Sequence, residues 1–303
     1  MSNVFHMRSN DAVRQDVSLD SNFYAVIVVR QTDRQLQTIA IAQDLHDVCG
    51  LLIKIENWLR ANKLYLSTDK TIYSIFSPTS CTNTNHIDIT IGSNRIMQVS
   101  TCKYLGVVID DELTFKPHID LLFQKLTKFV GIFYKLRYKL PSWCLRNIYY
   151  AFIHPHILYG IEIYGNTYPS YLDKLTRLNN KILKILQNQS VITSHKVIYP
   201  EYNTLPPQLL HKYQILILVH KFLYHKHLLP IIYLDYFTLN SSIHDHNTRG
   251  RSLLHLSQIR SSYGHKTIHF LGSLLWNALP PDLKELSNTK MFKQKLKIYL
   301  LSH

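Results

Sequence analysis

The run Phe23-Tyr24-Ala25-Val26-Ile27-Val28-Val29 ends in four β-branched residues. Such side chains are stiff at χ1 and suit a pleated, packed surface, so residues 17 to 30 are expected to end in a buried strand. Downstream, Leu36, Ile39, Leu45, Val48, Leu52, Ile55 and Leu59 recur at steps that predict an amphipathic helix from Asp33 to about Leu64. Thr32 or Asp33 would cap it, and Gly50 is its weak point. Thr71-Ile72-Tyr73-Ser74-Ile75-Phe76 reads as a further strand, stopped by Pro78. His86 to Ile91 alternates, Gly92-Ser93-Asn94 turns, and Arg95 to Val99 returns, which predicts a hairpin. One more strand, Tyr104 to Ile109, ends at Asp110-Asp111.

After Pro117 the period changes to that of a helix. Ile119, Leu122, Phe123, Leu126, Phe129, Val130 and Phe133 form one stripe, flanked by Lys116, Lys125, Lys128, Lys135, Arg137 and Lys139. Those cations are either a solvated face or a track for phosphates. Further helices are expected over 143–154, 169–188, 206–227, 267–278 and 288–301, with an irregular segment over 228–264.

The 303 residues, 46% of them hydrophobic, suffice for one large domain or two ordinary ones. Lys and Arg number 34 against 20 Asp and Glu, a net charge of +14, which is the electrostatic footprint of a protein that meets a polyanion. Nucleic acid fits that role. A membrane does not, because no apolar run is long enough to span one. Four widely spaced cysteines match no zinc pattern and leave disulfides open, with a reducing, intracellular setting as the default expectation. The 17 histidines, clustered at His220, His225, His227 and at His244, His246, show no recognised ligand spacing and read as ordinary polar or packing residues. Nine glycines leave little scope for a phosphate-cradling loop.

Three blocks carry a resemblance. Ile55-Glu56-Asn57-Trp58-Leu59-Arg60-Ala61-Asn62-Lys63-Leu64 runs into Leu66-Ser67-Thr68-Asp69-Lys70-Thr71. Lys103-Tyr104-Leu105-Gly106-Val107 is followed by Pro117-His118-Ile119. His246-Asn247-Thr248-Arg249 leads through Leu275-Trp276-Asn277-Ala278-Leu279-Pro280 to Phe292-Lys293-Gln294-Lys295-Leu296-Lys297. In order and spacing they resemble the reverse transcriptase of a non-LTR, jockey-like retrotransposon. Ser9-Asn10-Asp11 resembles the Asn-Asp pair of that family. The resemblance implies an α+β fold: a partial palm over 1–112, built of a small antiparallel sheet with a long helix, then a helical thumb-like region over 113–190. A mostly helical C-terminal region over 191–303, with the irregular basic segment 228–264, completes it.

The same family would place two aspartates after an aromatic-Ala pair, holding two magnesium ions that activate the primer hydroxyl and stabilise the leaving pyrophosphate. Here Phe23-Tyr24-Ala25 passes straight into Val26, so the chain is expected to be a truncated, inactive form with no metal or cofactor of its own. The strand at 17–30, without upstream partners, should then expose an apolar edge. Asp110-Asp111 comes after the Trp58 helix, whereas the family's pair precedes it, so an acidic turn is the reading favoured there. By the resemblance, Lys70 lies near the incoming triphosphate, and Lys103, Tyr104 and Gly106 occupy the primer grip; plain strand and loop positions are the other reading.

Tyr134, Tyr138, Tyr149, Tyr150 and Phe152 are expected in the core rather than on a stacking surface. Arg249 and Arg251, with Arg260 and Lys266, are better placed for phosphate contact, because they flank a glycine in a loop. Trp276 is expected to anchor the C-terminal helices. The expected partners are RNA and DNA, and no membrane. Two alternatives to an inactive polymerase stand: a non-catalytic basic nucleic-acid-binding module, and a helical protein-interaction scaffold.

Overall fold

The computed structural model describes residues 24–30, 37–42, most of 52–63, 71–76, 89–91, 94–243, 250–259 and 264–302. Two compact units divide the chain, Met1–His118 and Ile119–His303. The first is built on strands and the second on helices, an α+β composition.

In the first unit, β1 (Tyr24–Arg30) lies between β2 (Gln37–Ala42) and β3 (Ile72–Phe76), antiparallel to both. Two expectations are corrected here. The strand is central in its sheet rather than an orphan edge, and the helix foreseen from Asp33 does not begin there, because 37–42 pairs with β1. Thr38-Ile39-Ala40-Ile41-Ala42 alternates at period two as well as contributing to the helical pattern, and a neighbouring β-branched strand settles that ambiguity in favour of pairing. The described residues within 52–61 are helical. Its end is closed by Asn62, whose side-chain amide donates to the Trp58 carbonyl at 2.7 Å, and by Lys63 in the left-handed region at φ 54°.

The foreseen hairpin is present in short form as β4 (Thr90–Ile91) against β5 (Asn94–Arg95). Strand β6 (Met97–Gln98) runs parallel to β3 and completes a four-stranded order β2-β1-β3-β6. The single strand expected over 104–109 is instead a hairpin of β7 (Thr101–Tyr104) and β8 (Val107–Asp110). Leu105 at φ 43° and Gly106 at φ 88° form the two-residue turn, the positive-φ pair that matches strand twist. Phe76 and Cys102 are the centre of a small core, packed by Ile72, Val99, Tyr104, Ile109 and Leu113.

Helix α1 (Lys116–Leu136) leads into the second unit. Its buried residues Ile119, Leu122, Leu126, Val130 and Phe133 repeat at three- and four-residue steps, as the stripe required. Helices α2 (Ser142–Phe152), α5 (Pro169–Leu186) and α7 (Pro207–Tyr224) fall close to the foreseen bounds, as do α8 (Ile268–Asn277) and α10 (Thr289–Ser302). Short helices α3 (His154–Leu158), α4 (Ile161–Tyr164), α6 (His195–Glu201) and α9 (Pro281–Lys284) were not foreseen. Each is too brief to show a period. Helix α7 buries residues from Leu210 to Phe222 around much of its circumference and packs against α4, α5, α8 and α10, so it is the core helix of this unit.

Candidate nucleic-acid interface

The β7–β8 hairpin positions three of the foreseen residues. Lys103 pairs with Val108 and Tyr104 with Val107, and Gly106 sits exposed in the turn. Lys103 is exposed, while Tyr104 is half-buried against the small core, and that burial raises its hydroxyl pKa. Behind the hairpin lies His118, 2% exposed, whose Nδ1 accepts the Val108 amide at 3.3 Å. Burial and then the nearby Lys103 ammonium lower its pKa to about 4, so it is neutral at pH 7 and acts as an acceptor clamp on β8. Sequence reasoning placed His118 in a motif but gave it no role.

Asp110 is buried, and both of its carboxylate oxygens are engaged. Oδ2 accepts from the Thr114 amide at 2.9 Å and the Thr114 hydroxyl at 2.7 Å, and Oδ1 accepts from the Phe115 amide at 2.7 Å. It thus closes the acidic turn that leads into α1 and holds Leu113 and Phe115 at φ 52° and 55°. Asp111 instead lines a pocket of about 600 Å³ with Tyr73, Arg95 and residues 96–100. Among the described residues no three His, Cys, Asp or Glu side chains converge to hold a metal. Ala25, paired with Ala42 and with Ile75, is followed by Val26 in the middle of a sheet. The described residues therefore do not fit the two-magnesium centre that the family implies. Phe23, Lys70, Arg249 and Arg260 lie outside the described residues.

On α1, Leu121, Lys125, Lys128, Ile132 and Lys135 are exposed opposite the buried stripe, and Lys139 is exposed just beyond the helix end. Lys116, also exposed, stands in its first turn. The Lys125 ammonium approaches His156 Nδ1 at 3.4 Å, and partial burial followed by that cation lowers the His156 pKa. Between Asp120 and Glu162 the chain carries Lys125, Lys128, Lys135, Arg137, Lys139 and Arg146 and not one carboxylate. Asp120 itself pairs with Lys174 at 2.6 Å. Nothing acidic along this segment offsets its positive field.

The aromatic expectation needs correction at three of five positions. Tyr149 is fully buried, donating to Asn179 Oδ1 at 3.2 Å while Asn179 donates to Tyr199 at 3.1 Å. Tyr150 is half-buried and donates to the Tyr202 and Asn203 carbonyls. Tyr134, Tyr138 and Phe152 are exposed, as is Trp143. Helical spacing alone could not separate them, because Tyr134 lies off the buried stripe and Tyr138 lies past the end of α1.

The irregular segment folds back on itself. Leu239 and Leu254 form a β-bridge, and the Asn277 side chain acts as a second strand, accepting the Leu254 amide at 3.0 Å and donating to its carbonyl at 2.8 Å. Arg251 is exposed on this fold, whereas Lys266 is packed over the Tyr168 ring at 3.9 Å with its pKa lowered by burial. Trp276 is buried beside Phe292 and His220, as foreseen. His220 stacks on Phe292 at 4.2 Å and bonds the Leu286 carbonyl, and His225 bonds that of Ser287, so both serve packing and loop closure.

Compared with known proteins, the chain is 32% identical over 99 residues to the RNA-directed DNA polymerase from mobile element jockey of Drosophila melanogaster. That match covers 32% of this chain and 11% of the relative. It is 31% identical over 100 residues to the jockey polymerase of Drosophila funebris, covering 32% and 11%. A third relative, the probable RNA-directed DNA polymerase from transposon X-element of Drosophila melanogaster, is 29% identical over 94 residues, covering 30% and 10%. The chain spans about a tenth of the length of these curated relatives. No family model matches it, and no solved structure does. Over about a third of its length, then, the chain is similar to reverse transcriptases of non-LTR elements.

Proposed function

We propose that this chain comprises part of the palm, the thumb and the C-terminal region of a non-LTR retrotransposon reverse transcriptase, and that it binds RNA and DNA without polymerising nucleotides. The observation that carries this reading is the commitment of both Asp110 oxygens to its own turn, together with a strand β1 that contains no carboxylate. Two-metal transfer needs acidic side chains free to hold cations. Binding needs only the cations: Lys125 and Lys128 on α1, Lys103 beside the Gly106 turn, and Arg251.

Two assays on the full chain test it. Primer extension on an RNA template with Mg²⁺ should give no incorporation above background, and measurable incorporation overturns the inactive reading. Filter binding of a primer–template duplex should weaken steeply with salt. The double variant K125A/K128A should lower the slope of log K against log salt by roughly 2, since each neutralised phosphate contributes about 0.9. Binding that is undetectable or indifferent to salt removes the proposal.

A further inference from the structure

We infer that the corner joining α1 to α2 is a base-stacking platform for single-stranded nucleic acid, with Tyr138 and Trp143 as its stacking faces. The inference rests on the nucleic-acid-binding reading above and narrows its ligand to unpaired strands.

Large aromatic rings are normally covered in a folded protein, yet here Tyr138 is 70% exposed, Trp143 65% and Tyr134 45%. They stand on backbone that is hydrogen-bonded on both sides of the corner. The Lys139 amide bonds the Leu136 carbonyl at 2.9 Å, and the Cys144 and Leu145 amides bond that of Pro141 at 3.0 and 3.2 Å. The Arg137 guanidinium lies 5.0 Å from the Tyr134 ring centroid and 4.4 Å from that of Tyr138, which fixes both rings and places a cation between them. Ordering these groups on binding therefore costs little.

Charge selects the occupant. Lys135 and Lys139 flank the rings, and no carboxylate occurs anywhere from Leu121 to Ile161. A protein surface that docked apolar rings here would meet Lys135, Arg137 and Lys139 with no carboxylate in the segment to offset them. A nucleic-acid strand supplies both the π-faces for the rings and the phosphates for the lysines. Duplex offers only terminal bases for stacking, so the rings favour single strands.

The test uses the full chain and three probes of equal length: oligo(dT), an abasic oligomer and a duplex. Tyr138→Ala and Trp143→Ala should each weaken oligo(dT) roughly ten- to hundredfold while leaving the salt slope unchanged. Abasic binding should be the same in wild type and both variants, and Trp143→Phe should keep most of the affinity. The rings are exposed, so circular dichroism and thermal melting should match wild type. Unchanged oligo(dT) affinity in both alanine variants overturns the inference. So does equal binding of abasic and oligo(dT) probes, or a concentration-dependent dimer that Trp143→Ala abolishes. If K125A/K128A weakens binding and the aromatic variants do not, only the stacking platform falls. If no probe binds at all, both readings fall.

Discussion

Replacing Asp110 by alanine tests whether its carboxylate serves structure or catalysis. In the folded chain it accepts from the Thr114 amide and hydroxyl and from the buried Phe115 amide. Losing a side-chain cap costs about 1 kcal/mol, and stranding a buried donor costs about 1–3 kcal/mol. Leu113 and Phe115 are also held in left-handed backbone, each at a cost of roughly 1–2 kcal/mol that the carboxylate bonds offset. The expected loss for Asp110→Ala is about 3 kcal/mol in the first unit. Asp110→Asn should lose about half of that, because an amide can accept on one arm only and its NH₂ would oppose a donor on the other. Asp111→Asn, which alters a pocket lining, should change stability by less than about 0.5 kcal/mol. Native-state hydrogen exchange at the Thr114 and Phe115 amides reads this locally, without assuming that the two units unfold together. About 3 kcal/mol corresponds to exchange faster by roughly a hundredfold. Equal effects at Asp110 and Asp111, or a change below about 1 kcal/mol for Asp110→Ala, would refute the structural assignment.

Acid should destabilise the chain before its carboxylates titrate. Burial lowers His118, His154 and His211 from 6.5 to about 4, so the stability they carry is complete above pH 6.5 and is lost as pH falls towards 4. After allowance for solvent screening each contributes on the order of 1–2 kcal/mol, measurable as a falling urea midpoint between pH 7 and 4.5; a flat midpoint over that range contradicts the burial. Gly165 marks a close approach of α4 to α7, where an added Cβ would lie 2.5 Å from the Ile161 carbonyl and 2.6 Å from the His211 ring. Gly165→Ala should therefore cost about 1–3 kcal/mol by thermal melting, and a neutral result would mean that His211 is not seated in that notch.

What the sequence made legible followed the length of its patterns. Helix α1 could be read because its buried face repeats over several turns, and α5 and α10 for the same reason. The β2 strand could not, because the short run Gln37-Thr38-Ile39-Ala40-Ile41-Ala42 fits two periods equally, and only the presence of β1 alongside settles the choice. The hairpin at Leu105-Gly106 was hidden because Tyr104-Leu105 and Val107-Val108-Ile109 read through Gly106 as one apolar strand, although Gly106 was a visible signal. At the candidate interface the lysines of α1 were found by composition, and the exposed rings were not. Tyr149 and Tyr138 look alike in sequence, but one falls on the buried face of α2 and the other past the end of α1. The absence of acidic residues between Asp120 and Glu162 spans both tyrosines, so it marks the stretch as suited to an anionic partner without telling the buried ring from the exposed one.

The two groups of residues are also independent in their demands. Asp110 already accepts three hydrogen bonds, so a metal ion there would compete for the oxygens that hold Thr114 and Phe115, and among the described residues no group of three ligating side chains converges to help hold it. Stacking and phosphate neutralisation at the α1–α2 corner need no carboxylate, so they survive whatever becomes of catalysis. A chain with +14 charges pays for them in self-repulsion, and that repulsion is concentrated where the acids are missing. Binding a polyanion there relieves it. The second unit should therefore gain stability on adding single-stranded nucleic acid, by an amount that grows with ligand concentration and shrinks with salt.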